Sequence, residues 1–200
     1  MIRPRHSVAA VLAAALAACA SAPMHYYTLV APAPPAPAPA AASAPLRFEL
    51  LPVGIPAQVD QPQLVVREGG QGVAVLQGRR WIAPLADEVR GALSADLSRE
   101  LGAQDVTGLP AGNGPVLRIK VDLRRFDSVP GRYALIDATW SVRALQGGAP
   151  LACTSRVEEN VGEGFDALVA GHQRALAALA AGIAGAARAL AAGQATCPAG

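Results

Sequence analysis

The sequence predicts an α+β domain of two layers, in which a mixed, largely antiparallel sheet carries two helices packed on one face. Three observations lead there. Two long alternating patterns flank Pro130-Gly131, a fourfold leucine stripe follows Pro84, and an alanine-rich amphipathic pattern runs from Phe165 to about Ala192. Strands followed by a helix, then a meander followed by a helix, suit a sheet covered by helices.

Taken in order, Leu46–Val53 predicts a first strand, because Leu46, Phe48 and Leu50 alternate with Arg47 and Glu49. Gln63–Glu68 and Val73–Gln77 predict a hairpin closed by Gly69-Gly70-Gln71-Gly72. Pro84 suits the first turn of a helix, and Asp87 and Glu88 suit its N-terminal dipole. Leu85, Val89, Leu93, Leu97 and Leu101 then bury one stripe until Gly102 stops the helix. Leu117, Ile119, Val121 and Leu123 alternate with Arg118, Lys120, Asp122 and Arg124, giving one buried and one wet face. A type II turn at Pro130-Gly131 leads into a return strand with Ala134, Ile136, Ala138, Trp140, Val142 and Ala144 on one side. Gln146–Pro150 turns into a third strand, Leu151–Val157, and the last helix puts Phe165, Leu168, Val169, His172, Leu176, Leu179, Ile183 and Leu190 on one face.

Ahead of this domain, Arg3 and Arg5 precede Val8–Ala18, an unbroken apolar and alanine run. A bilayer-spanning helix needs about 20 such residues, so the run suits a secretory leader instead. It ends in Leu16-Ala17-Ala18-Cys19, which resembles the lipobox of bacterial lipoproteins. The expected organisation is a signal peptide over 1–18, a lipidated tether with an Ala/Pro-rich linker over 19–45, and the domain with a short C-terminal tail over 46–200. Cys19 is the expected lipidation site, bearing diacylglycerol and a fatty acyl chain such as palmitate. Several acyl chains anchor durably where one does not, at about 0.8 kcal/mol per buried methylene. By resemblance to Gram-negative lipoprotein sorting, Ala20 after the cysteine directs the chain to the outer membrane. Ala31–Pro45 is too poor in large apolar residues to fold, and its prolines predict an extended spacer of about 45 Å that lifts the domain off the membrane.

Lipidation leaves Cys153 and Cys197, an even pair in an oxidising compartment. A disulfide between them would tie the tail to the domain; the alternative is two free thiols, with Cys197 in a frayed tail. Removing Arg3 and Arg5 with the leader takes the 17 basic residues to 15, equal to the 15 acids. A balanced chain with Lys120 as its one lysine offers no electrostatic reason to bind nucleic acid or an anionic membrane surface.

The inventory for catalysis is poor. His6 leaves with the leader, His25 lies in the tether, and His172 falls in an apolar stripe, where a histidine is more often packed than basic. No nucleophile stands near a partner in sequence. The glycines at 69–72 lack the Lys-Ser/Thr of a phosphate loop. Glu158, Glu159, Glu163 and Asp166 match no calcium loop and suit a solvated strand end and helix start. Cys and His have no metal-ligand spacing. The expectation is a non-catalytic protein with no cofactor and no metal.

Several pieces together resemble one family, the ABC-type transport auxiliary lipoproteins of the paraquat-inducible protein C kind. They are Tyr26-Tyr27-Thr28-Leu29, the segment Pro56–Arg67, Arg80-Trp81 before Pro84-Leu85, and the strand residue Trp140. Order and spacing agree along the mature chain. Gln61 departs from a position that is often basic in the family, and the Ala/Pro linker is long. The resemblance implies an outer-membrane-anchored periplasmic subunit that works with an inner-membrane ABC transporter and an MCE-domain protein in lipid traffic. A homo-oligomer is compatible with it. It carries over no catalytic residues; Trp81 is expected in the core rather than at a partner contact, and Arg67 and Arg80 in salt bridges rather than on lipid headgroups. The alternatives are a structural or activator lipoprotein for cell-wall synthesis, reaching through peptidoglycan on the tether, and a periplasmic hydrolase.

Overall fold

The computed structural model describes residues 23–32, 47–110 and 114–198. The fold is α+β, as the patterns predict, with the strands divided between two sheets. In chain order these are β1 (His25–Tyr27), β2 (Arg47–Leu50), β3 (Gln63–Arg67), β4 (Val73–Trp81), helix α1 (Leu85–Leu101), β5 (Gln104–Asp105), β6 (Val116–Val129), β7 (Tyr133–Ala144), β8 (Leu151–Asn160) and helix α2 (Phe165–Ala191). The larger sheet has the order β5-β2-β6-β7-β8, and the smaller one β1-β4-β3. β6, β7 and β8 form the antiparallel meander, whereas β2 lies parallel to both β5 and β6. Two elements escape the patterns: β1 lies within the expected tether, and β5 is too short to show any period.

The alternation in β6 sends Leu117, Ile119, Val121 and Leu123 into the core, under the stripes of both helices. Register then slips between Leu123 and Arg125, a bulge that re-aims the rest of the strand. Beyond it Phe126, Asp127, Ser128 and Val129 are all buried, because β3 and α2 now cover the strand from different sides. Val66, Ala134, Val161 and Leu168 form a second small core there. The returning turn is as expected: Arg132 N–H donates to Val129 O at 3.0 Å around Gly131, whose φ of 70° no branched residue would accept.

Helix α1 starts just after Pro84, which sits at the N-cap with extended ψ, and ends at Gly102 in the left-handed region. Helix α2 is long and apolar enough to cross a bilayer, but Leu176, Leu179, Ala180, Ile183, Ala184 and Ala187 are buried in the core of this domain. Its Gly171 lets it come close: a Cβ there would overlap the Val161 Cγ1 methyl and lie 3.1 Å from Ala134 Cβ. After α2 the tail folds back, so that Pro198 lies 3.7 Å from where a Cβ on Gly182 would stand, and the Cys153–Cys197 disulfide pins it to β8.

Candidate functional site

Cys19 lies outside the described residues, whereas the strand a few positions after it is well defined. β1 runs parallel to β4 in the register His25–Arg79, Tyr26–Arg80 and Tyr27–Trp81, and Ile82 N–H donates to Tyr27 O at 2.9 Å. Tyr27 packs on the core, and Leu29 is buried to 1% exposure. Glu88 holds this segment from α1, accepting the Leu29 N–H at 2.7 Å and the Thr28 hydroxyl at 2.8 Å. Gln173 of α2 adds a hydrogen bond to Thr28 O at 3.1 Å. The helix dipole favours an anion in the first turn of α1, so Glu88 serves the helix and the docked strand together.

This corrects the expected tether. The Ala/Pro-rich stretch 31–45 joins two segments of the domain, β1 and β2, and so does not set the distance from anchor to domain. The domain begins at β1 rather than at residue 46. Between Cys19 and His25 the chain reaches at most about 20 Å even fully extended, in place of the 45 Å spacer. A three-residue strand paired to one neighbour carries no periodicity, so nothing in its pattern separates it from a tether.

The other singled-out residues are spread through the fold. Trp81 is in the core, edge-on to Phe126 with ring centroids 6.2 Å apart. Arg67 pairs with Asp127 at 3.1 Å, and Arg125 binds the other carboxylate oxygen. Arg80, expected in a salt bridge, makes none among the described residues; it is half-buried, and its Nε has no partner. Gln61 lines a cleft of about 400 Å³ with Asp60, Pro62, Trp81, Ile82 and Pro84. Glu158 pairs with Arg156 at 3.1 Å and Glu159 with Arg174 at 3.0 Å, so the acids at the strand end answer arginines.

His172 is fully buried, stacked on Phe126 at 3.9 Å, with Nε2 at 2.8 Å from Ser128 Oγ. A histidine–serine pair beside Asp127 has the composition of a nucleophile and base. Its setting does not suit that chemistry: burial outweighs the attraction of the Asp127 charge and holds the imidazole pKa down at about 3. A base must gain a proton near the working pH and meet substrate, and this ring is sealed under α2. Among the described residues no three His, Cys, Asp or Glu side chains gather as a metal site.

A groove of about 660 Å³ runs over Lys120, Asp122, Thr139, Ser141 and Thr154 to the Cys153–Cys197 bridge and Pro198. Its open shape suits a macromolecular surface better than a small-molecule pocket.

The family model described as ABC-type transport auxiliary lipoprotein component matches residues 27–184. No curated protein matches the chain. The crystal structure of an uncharacterized protein superposes with a TM-score of 0.63 at 20% identity, covering 84% of this chain and 99% of that one. A DUF330-family protein from Xanthomonas campestris superposes with a TM-score of 0.57 at 18% identity, covering 78% of this chain and 91% of that one. At such identities the likeness is one of fold.

Proposed function

From the premise that the chain belongs to the ABC-type transport auxiliary lipoprotein family, we propose that it is the outer-membrane-anchored, periplasmic accessory subunit of an MCE/ABC-type lipid transport system. Cys19 carries the anchor in this reading, and the domain works without catalysing a reaction. The observation that supports it most is the continuity of family domain and anchor: the match opens at Tyr27, inside β1, a few residues after the lipobox cysteine. An ATPase at the inner membrane supplies the energy in such a system, so the lipoprotein needs only a surface on which the MCE protein docks. Fully buried His172 and the ion-paired acids agree with that division of labour.

The short leash also bears on the rival. An activator of cell-wall synthesis would use a long tether to reach through peptidoglycan, whereas here the Ala/Pro stretch returns to the domain. A partner must instead come close to the outer membrane, as an MCE protein bridging the periplasm would. The mature chain is formally neutral, so docking relies on shape and apolar contact and survives moderate salt.

The test is affinity capture of the native, lipidated protein. Recovery of an MCE-domain protein and an ABC permease is expected; recovery of peptidoglycan synthases without them would overturn the reading. Cys19→Ser should abolish labelled-palmitate incorporation and release the protein from the outer-membrane fraction.

A further inference from the structure

We propose that the outward face of the β1–β4 edge, carrying Met24, Tyr26 and Ile82, rests on the phospholipid surface to which Cys19 is anchored. The proposal rests on the lipid anchor above and adds which face of the domain meets the membrane.

Strand parity places the three side chains together. Tyr27 and Trp81 are partners in the parallel ladder and point into the core. Tyr26 and Arg80, one residue back on each strand, have the outward parity, and Met24 and Ile82, just beyond the strand ends at the same parity, are exposed. Met24 is 40% exposed, Tyr26 58% and Ile82 62%. Single exposed apolar residues need no explanation; three on one edge of a small sheet, at the point where the anchor joins, have one.

The leash supplies the occupant. Even fully extended, the chain from Cys19 to His25 reaches at most about 20 Å, less than the width of the domain it holds. The β1 edge is thus the part of the fold that the anchor keeps nearest the lipid. Tethering raises the local concentration of lipid surface so far that weak contacts suffice to choose an orientation. Tyrosine suits the boundary, its ring among acyl chains and its hydroxyl in the headgroups.

The experiment uses the full-length acylated protein bound to vesicles of phosphatidylethanolamine and phosphatidylglycerol that contain spin-labelled lipid. An environment-sensitive fluorophore is placed at Ile82→Cys or, as the control, at Leu109→Cys. Leu109 is also exposed, at 55%, but follows the far end of the 17-residue α1, about 25 Å along that helix. Lipid quenching several-fold stronger at position 82 than at 109 is expected, and Tyr26→Asp should reduce it. Equal quenching at the two positions, or a probe at 82 that responds only when a partner protein is added, would overturn the membrane face while leaving the anchor intact. A chain that carries no acyl groups would overturn the anchor and the inference together, and mass spectrometry of the same sample separates the two failures.

Discussion

Glu88 and Leu29 are joined by a 2.7 Å hydrogen bond from the Leu29 backbone N–H to the Glu88 carboxylate, with the Leu29 side chain itself buried. The same carboxylate oxygen takes the Thr28 hydroxyl. One acid on α1 therefore satisfies two donors of a segment that would otherwise hang from the membrane anchor. A buried carboxylate is costly unless its lone pairs are used, and here the strand that uses them is the one leading to Cys19.

Cutting that clamp should loosen the N-terminal segment before the rest of the fold. Glu88→Ala is expected to cost about 1–3 kcal/mol, since it strands a buried N–H. Leu29→Ala is expected to cost about 2–5 kcal/mol for the lost side chain and its cavity. Hydrogen exchange should accelerate most at Tyr27, Leu29 and Ile82, whose amides or carbonyls join β1 to β4 and α1. Uniform acceleration across β6 and β7 instead would mean that Glu88 acts on global stability alone.

The disulfide closes a separation of 44 residues around the whole of α2. The loop-entropy treatment puts its stabilisation at about 4 kcal/mol. Protein exported to the periplasm should resist alkylation at Cys153 and Cys197 until reduced. Cys197→Ser should lower the denaturation midpoint and free the tail, while Cys197 Sγ also loses its contact with Ala152 O. Reactive thiols in exported, unreduced protein would contradict this.

Legibility in the sequence follows the physics of each element. β6, β7 and α2 are long and bury one face, so their periods of two and of three to four survive in the letters, and observed ends differ from the expected ones by a few residues. The hairpin at 69–72 is announced by its glycines, two of which have positive φ. β1 is not legible: three residues paired to one neighbour leave no pattern, and its clamp, Glu88, looks in the sequence like an ordinary acid of a first helical turn. The bulge at Arg124 is equally hidden, because Phe126 to Val129 beyond it are all buried and leave no period to read. Thus the Ala/Pro stretch reads as a spacer from composition, while the contacts that decide what it spaces are long-range.

At Gly171, α2 lies close against β7 and the residue that follows β8. Gly171→Ala would raise helix propensity by about 1 kcal/mol on an open helix. Here the added methyl meets Val161, whose branched side chain has little rotamer freedom, and the backbone-near Cβ of Ala134. Overpacking of this kind costs about 1–3 kcal/mol, so the net expectation is a destabilised protein. Gly185→Ala, on the same helix with nothing within 4 Å of the new Cβ, should by contrast be neutral or stabilising. Chemical denaturation of the two variants side by side distinguishes crowding from propensity; equal midpoints would remove the close-approach explanation.

His172 makes the fold sensitive to acid. In the folded protein its pKa is held down at about 3, chiefly by burial, against the small opposing pull of Asp127; in the unfolded chain it is about 6.5. Above pH 6.5 both states hold a neutral ring and no penalty arises. As pH falls from there towards 3, the unfolded chain takes up a proton that the folded one refuses, so stability declines by up to about 1.4 kcal/mol per pH unit. Two carboxylates also have displaced values. Asp96 is raised by burial, in spite of Arg99. Asp105 is also pushed up by burial, but the hydrogen bonds from Ser94 and Thr107 and the charge of Arg90 prevail and lower it. Both carboxylates are untouched in a His172 variant, so the difference in slope between the two proteins from pH 6.5 to 4.5 isolates the histidine. His172→Gln keeps a group able to reach Ser128 and removes the titration. Its unfolding free energy should fall less over that interval than that of the unaltered protein. Parallel slopes for the two proteins would show that His172 is not the group that responds.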